Sequence, residues 1–129
     1  MLRNRYMLDA NAVLRFLLRD NEEQFCQVED VIRKNSCYVA LEVMAEVCYV
    51  LEGVYQVSRK DIAVNLRRLN YDVTIINADV FLRALEVFEN LPKLDFVDCL
   101  LYGYKMERDV DIVTFDKLLK KQLLDIEKL

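Results

Sequence analysis

Tyr6-Met7-Leu8-Asp9-Ala10-Asn11-Ala12-Val13-Leu14-Arg15-Phe16-Leu17-Leu18 changes its period at the acid. Tyr6-Met7-Leu8 is a short apolar run that reads as a buried strand ending in Asp9. From near Asn11 the residues Val13, Leu14, Leu17 and Leu18 fall at helix spacing. The same alternation recurs along the chain. Phe25, Val28, Val31 and Ile32 mark a second helix after the polar break at Asp20-Asn21, and Cys37-Tyr38-Val39-Ala40 is strand-like and leads into a helix over 41–55. Ser58 followed by Asp61 resembles a helix start ahead of Ile62, Leu66 and Leu69, and Val73-Thr74-Ile75-Ile76 is the next strand. Asn77 can cap a helix through Phe81, Leu85 and Phe88 that breaks at Leu91-Pro92; Asp95 opens another. Ile112-Val113-Thr114 reads as a fourth strand, before a helix that Asp116 can cap. Strands alternating with helices predict a mostly parallel sheet covered on both faces.

With 129 residues, 54% of them hydrophobic, the chain fits one domain over 1–129, large enough to bury roughly two-thirds of its unfolded surface. The apolar stretch 43–51 is interrupted by Glu46 and is short of the about 20 residues a bilayer requires. Met1-Leu2-Arg3-Asn4-Arg5 lacks the apolar core of a signal peptide. A cytoplasmic protein with no membrane partner is expected. The four cysteines, Cys26, Cys37, Cys48 and Cys99, form no C-x-x-C pair and read as reduced core residues. Two glycines leave no Gly-rich phosphate loop. A net charge of −4 argues against holding nucleic acid through overall basicity. Arg15, Arg19, Arg67, Arg68, Lys105 and Arg108 could still meet phosphates locally, although each also suits a solvated helix face.

The chain has no histidine, which excludes Ser-His-Asp and Cys-His centres and His-ligated zinc. Acid-base or metal work would then fall mainly to oxygen ligands. Asp9 and Asp116 follow predicted strands, where ligands bind in open parallel sheets, and each equally suits a helix N-cap. Asp95 and Asp98 lie three apart at a helix start. Asp95 is the better cap, and Asp98 is set among Phe96, Val97, Cys99, Leu100 and Leu101, where an unpaired carboxylate is costly. Glu46 lies mid-helix, with Glu42 one turn before it. Like charges at that spacing destabilise a helix by roughly 0.2–0.5 kcal/mol, so the pair is either a solvated stripe or faces a cation. Clustered carboxylates favour Mg²⁺ or Mn²⁺, and such an ion can activate water for phosphodiester hydrolysis.

Residues 8–20, beginning Leu8-Asp9-Ala10-Asn11, closely resemble the opening of PIN-domain proteins, especially the toxin ribonucleases of VapBC-type toxin–antitoxin modules. Glu46-Val47-Cys48-Tyr49-Val50-Leu51-Glu52 looks like the segment carrying that family's second acid, Asp95-Phe96-Val97-Asp98-Cys99-Leu100 like its Asp-Phe-x-Asp-Ala-Leu motif, and Val113-Thr114-Phe115-Asp116-Lys117 like its closing Thr-Phe-Asp segment. Cys99 stands where alanine is usual. The resemblance implies a PIN-like three-layer α/β/α sandwich around a mostly parallel sheet of four to five strands, the fifth being at most Leu124-Asp125-Ile126. It implies Asp9, Glu46, Asp98 and Asp116 as catalytic and metal-binding acids, with Asn11, Asp95 and Thr114 as auxiliaries. It further implies Mg²⁺- or Mn²⁺-dependent endonucleolytic cleavage of RNA, a homodimer or hetero-oligomer, and a small antitoxin that blocks the site.

A competing reading is a catalytically inactive PIN-like module that acts through protein contacts. Val13, Leu14, Leu17, Phe25, Val28 and Val31 carry enough apolar surface to suggest a groove for an amphipathic helix of the antitoxin. Such a segment could place an Arg or Lys near Asp9 and Asp98.

Overall fold

The computed structural model describes residues 4–127, and side chains over 4–124. In chain order its elements are β1 (Arg5–Met7), α1 (Ala10–Leu18), α2 (Glu22–Lys34), β2 (Ser36–Val39), α3 (Leu41–Gly53), α4 (Arg59–Asp72), β3 (Thr74–Ile75), α5 (Ala78–Asn90), α6 (Phe96–Arg108) and α7 (Lys117–Glu127). Internal packing gathers in two units, Met1–Ala78 and Asp79–Leu129.

The first unit holds a parallel sheet in the order β1-β2-β3. β2 is central: Tyr38 is opposite Met7 on one side and Thr74 on the other. Its Cys37 and Val39 are buried and alternate with half-buried Ser36 and Tyr38, the period-two pattern of a packed strand. Each parallel pairing requires a crossover, supplied first by α1 and α2 and then by α3 and α4. Local chemistry sets the helix limits. Asn21 accepts from the Gln24 amide at 3.0 Å and Ser58 from the Asp61 amide at 3.1 Å, opening α2 and α4. Glu22 and Glu23 in the first turn of α2 and Arg33 and Lys34 in its last complement the helix dipole. α1 ends at Arg19, which takes a left-handed φ of 50°. Its guanidinium bonds Glu22 at 2.7 Å and sits 4.2 Å from the Phe25 ring centroid, so the turn into α2 is clasped by charge and aromatic contact. Val13, Val39, Met44, Val47, Ile62 and Leu66 form the fully buried centre.

In the second unit α5 and α6 approach closely. Phe96 meets Phe81 and Phe88 edge-on, with centroids 5.8 and 5.4 Å apart. Gly103 permits the approach, since a Cβ there would lie 2.6 Å from the Val80 carbonyl oxygen. Arg83 pairs with Glu107 at 2.9 Å and Arg108 with Asp79 at 2.7 Å between the same helices.

The α/β class and the parallel sense of the sheet hold, but the expected four to five strands are corrected to three among the described residues. Ile112-Val113-Thr114 is assigned to no strand and lies in the connection between α6 and α7. A strand buried on both faces reads as a longer apolar run; here three residues sit between exposed Asp111 and exposed Phe115. Leu124-Asp125-Ile126 belongs to α7, because buried Leu119 and Leu123 continue a helical face through that point. β1 is a strand, yet Tyr6 and Met7 are exposed rather than buried, since β1 is an edge with one neighbour. Cys37, Cys48 and Cys99 are buried as expected, whereas Cys26 is exposed.

The two glycines should respond oppositely to alanine. Gly103→Ala must displace Val80 and is expected to cost about 1–3 kcal/mol by overpacking. Gly53 is helical with nothing within 4 Å of a built Cβ, so Gly53→Ala should stabilise by roughly 0.5–1 kcal/mol. Urea unfolding of the two variants checks both signs.

Candidate functional site

In the first unit Asp9 precedes α1 with extended backbone, and its Oδ1 accepts from the Ala12 amide at 2.8 Å. That is an N-cap bond. Asn11, two residues on, is exposed in the first turn. Glu46 is exposed on α3, whose buried side is Leu41, Met44, Val47, Cys48 and Leu51. Glu42 and Glu46 therefore form a solvated stripe, continued by Tyr49 at 76% exposure.

In the second unit three acids gather. Asp95 caps α6 by accepting from the Asp98 amide at 2.9 Å. Asp116 accepts from the Leu119 amide at 2.9 Å in the first turn of α7, and its own amide donates to Thr114 Oγ1 at 3.0 Å. Asp98 is half-buried. Burial pushes its carboxyl above the usual carboxylate range, and the charge of Asp95, a hydrogen bond shared with it, and the charge of Asp116 act in the same direction. The result is a carboxyl cluster that favours holding a proton.

This arrangement corrects the expected metal centre. Among the described residues no three Asp, Glu or Cys side chains form a group that could hold a metal ion. The physical reason is visible at each acid: Asp9, Asp95 and Asp116 turn an oxygen to the amide of their own helix, and Glu46 faces solvent. The Mg²⁺ or Mn²⁺ cofactor and the metal-dependent endoribonuclease and hydrolase activity built on Asp9, Glu46, Asp98 and Asp116 are corrected with it.

Four of the six candidate phosphate-binding cations are engaged nearby. Arg15 bonds Asp20 at 2.8 Å, Arg19 bonds Glu22, Arg108 bonds Asp79, and Lys105 lies 3.5 Å from Asp111. Nor do α1 and α2 leave their apolar side open. Val13, Leu14 and Phe25 are buried, Leu17, Val28 and Val31 half-buried, and Phe16 stacks on Phe25 with centroids 5.6 Å apart.

A feature the periodicity concealed lies in the second unit. A groove of about 430 Å³ is lined by Ile112, Val113, Leu123 and Leu124 together with Lys105 and Lys120. Its signal was the lysine spacing 117, 120 and 121 beside a β-branched run, which reads more readily as a strand followed by a solvated helix. Among the described residues no helix is long and apolar enough to cross a membrane.

A parallel three-stranded α/β unit followed by a helical unit, with acids at the starts of α1, α6 and α7, defines the class. Residues 6–122 match the PIN domain family, and the chain belongs to it. Comparison with curated proteins and with solved structures gives no match.

Two outcomes test the site. A raised carboxyl pKa means that the folded chain holds a proton the unfolded chain has released, so stability falls as pH rises from the ordinary carboxylate value through the raised one. Asp98→Asn should remove that fall: its melting temperature should exceed wild type above the window and approach it below, and parallel melting curves across the pH series would contradict the assignment. Asp9→Ala should lose about 1 kcal/mol as a deleted cap, while Asp9→Ser should keep most of it. Chemical denaturation distinguishes these from a purely electrostatic role.

Proposed function

We propose that this chain is a catalytically inactive PIN-like protein-interaction module. The observation that carries the reading is that its acids serve as helix caps and solvated charges, with no group among the described residues able to hold a metal. Exposed apolar side chains supply the other half of the argument, Phe115 at 100% and Val113 at 90% exposure. Apolar surface of this kind on a small domain suits a partner. The likeness of residues 8–20 to VapC-type proteins supports a small antitoxin-like protein as that partner, in a homodimer or a hetero-oligomer. Pairing of the acids with an Arg or Lys of the partner would relieve the repulsion around Asp98.

The test uses the purified full chain. Incubated with RNA and millimolar Mg²⁺ or Mn²⁺, it should cleave no faster than with chelator, and neither ion should move its melting temperature. Co-expressed with the product of an adjacent short reading frame, it should elute as one complex of defined mass by light scattering. Metal-dependent cleavage that disappears in Asp98→Asn would overturn the proposal, as would a chain that remains alone beside its neighbour.

A further inference from the structure

α3 and α4 follow one another in the first unit, and each carries a line of side chains opposite its buried one. On α3 the buried side is Leu41, Met44, Val47, Cys48 and Leu51, which leaves Glu42, Glu46, Tyr49 and Gly53 exposed along the other. On α4 the buried side is Ile62, Ala63, Leu66 and Leu69. Lys60, Val64, Arg68 and Tyr71 are exposed opposite it, Tyr71 at 92%. The α3 line is acidic and the α4 line basic, with Asp61 and Asp72 on one flank of the latter. Among the described residues none of Glu42, Glu46, Lys60 and Arg68 enters an ion pair. Other charges of the same unit, at Arg15 with Asp20, Arg19 with Glu22 and Arg59 with Glu52, are satisfied internally.

The two lines also match in spacing. From the helical rise per residue, Glu46, Tyr49 and Gly53 stand roughly 6, 10.5 and 16.5 Å along α3 from Glu42. Counted the other way along α4 from Tyr71, Arg68, Val64 and Lys60 stand roughly 4.5, 10.5 and 16.5 Å away. An antiparallel pairing of the two lines therefore sets Arg68 between Glu42 and Glu46, Tyr49 against Val64, and Gly53 beside the long side chain of Lys60. It also relieves the repulsion between Glu42 and Glu46, which lie one turn apart. A parallel pairing would instead set Glu46 against Val64, and antiparallel helices are the better opposed in dipole. Since one chain carries both lines, two copies can make the contact twice across a two-fold axis, α3 against α4 and α4 against α3.

We propose that α3 and α4 form a self-complementary face on which a second copy of this chain docks, with α3 of each copy antiparallel to α4 of the other. Arg68 supplies the cation that the acidic line lacks, and Tyr49 and Tyr71 supply the aromatic contact area. The proposal rests on the interaction-module reading and specifies the surface through which two copies meet.

Sedimentation velocity of the purified full chain over a concentration series should show a reversible monomer–dimer equilibrium. Arg68→Glu and Glu46→Arg should each weaken it by about tenfold or more, because each sets like charges together at both contacts. Both residues are exposed, so circular dichroism should be unchanged. Mixing the two single variants should restore a dimer. The acid introduced at 68 in one copy then meets the base introduced at 46 in the other, and the unaltered Glu46 and Arg68 meet at the second contact. A misfolded variant would gain nothing from mixing. A wild-type chain that is monomeric at every concentration, single variants that dimerise as wild type does, or a mixture that stays monomeric would each overturn the proposal. So would a monomeric chain whose co-expressed complex is lost in Arg68→Glu, which would make the occupant another protein, or one whose binding of single-stranded RNA is lost in that variant. If the dimer fails while the co-expressed complex persists, the interaction reading stands without this surface; metal-dependent RNA cleavage removes that reading whatever mass the chain shows.

Discussion

The first amides of a helix need an oxygen, and in this chain side chains three residues upstream provide it. Asp9 serves α1, Asn21 α2, Ser58 α4, Asp95 α6 and Asp116 α7. Each such bond is worth about 1 kcal/mol, a considerable share of the marginal stability of a small domain. The caps also govern what the acids can do. A carboxylate held against its own helix start has one oxygen committed and its direction set, so Asp9 and Asp116, two of the four acids that a shared cation would have to draw together, are fixed by local bonds.

Asp98 is held differently from these capping acids. It caps nothing, is half-buried, and its amide supplies the donor that Asp95 accepts. Its carboxyl is consequently partly desolvated and crowded by Asp95 and Asp116. A proton from solvent relieves that repulsion, as would any cation brought beside it.

What the sequence discloses follows the range of the interaction. Helix starts at Asn21, Ser58 and Asp95 and the break at Pro92 depend on residues three or four apart, and all were legible. β2 was legible because its burial alternates over a few residues. The segment 112–114 was not, because β-branched composition reports a preference for extended backbone, and membership of a sheet depends on a neighbour far along the chain. Glu46 illustrates the same limit. Its spacing from Glu42 permitted either a solvated stripe or a cation site, and the exposed side of α3 decides for the stripe. Gly103 was a residue without evident purpose until α5 was found against it.

The central position of β2 has a kinetic consequence. Its two neighbours are reached only through two-helix crossovers, one between β1 and β2 and one between β2 and β3, so each pairing must first close a long loop, at an entropic cost that local contacts do not incur. Helix pairs such as α1 with α2 and α5 with α6 meet across short connections. Hairpins of helices should accordingly form early and the sheet late. Until β3 docks, the strand holding Cys37 and Val39 shows an open edge to solvent, and during synthesis this is the interval in which the chain is most exposed to mispairing.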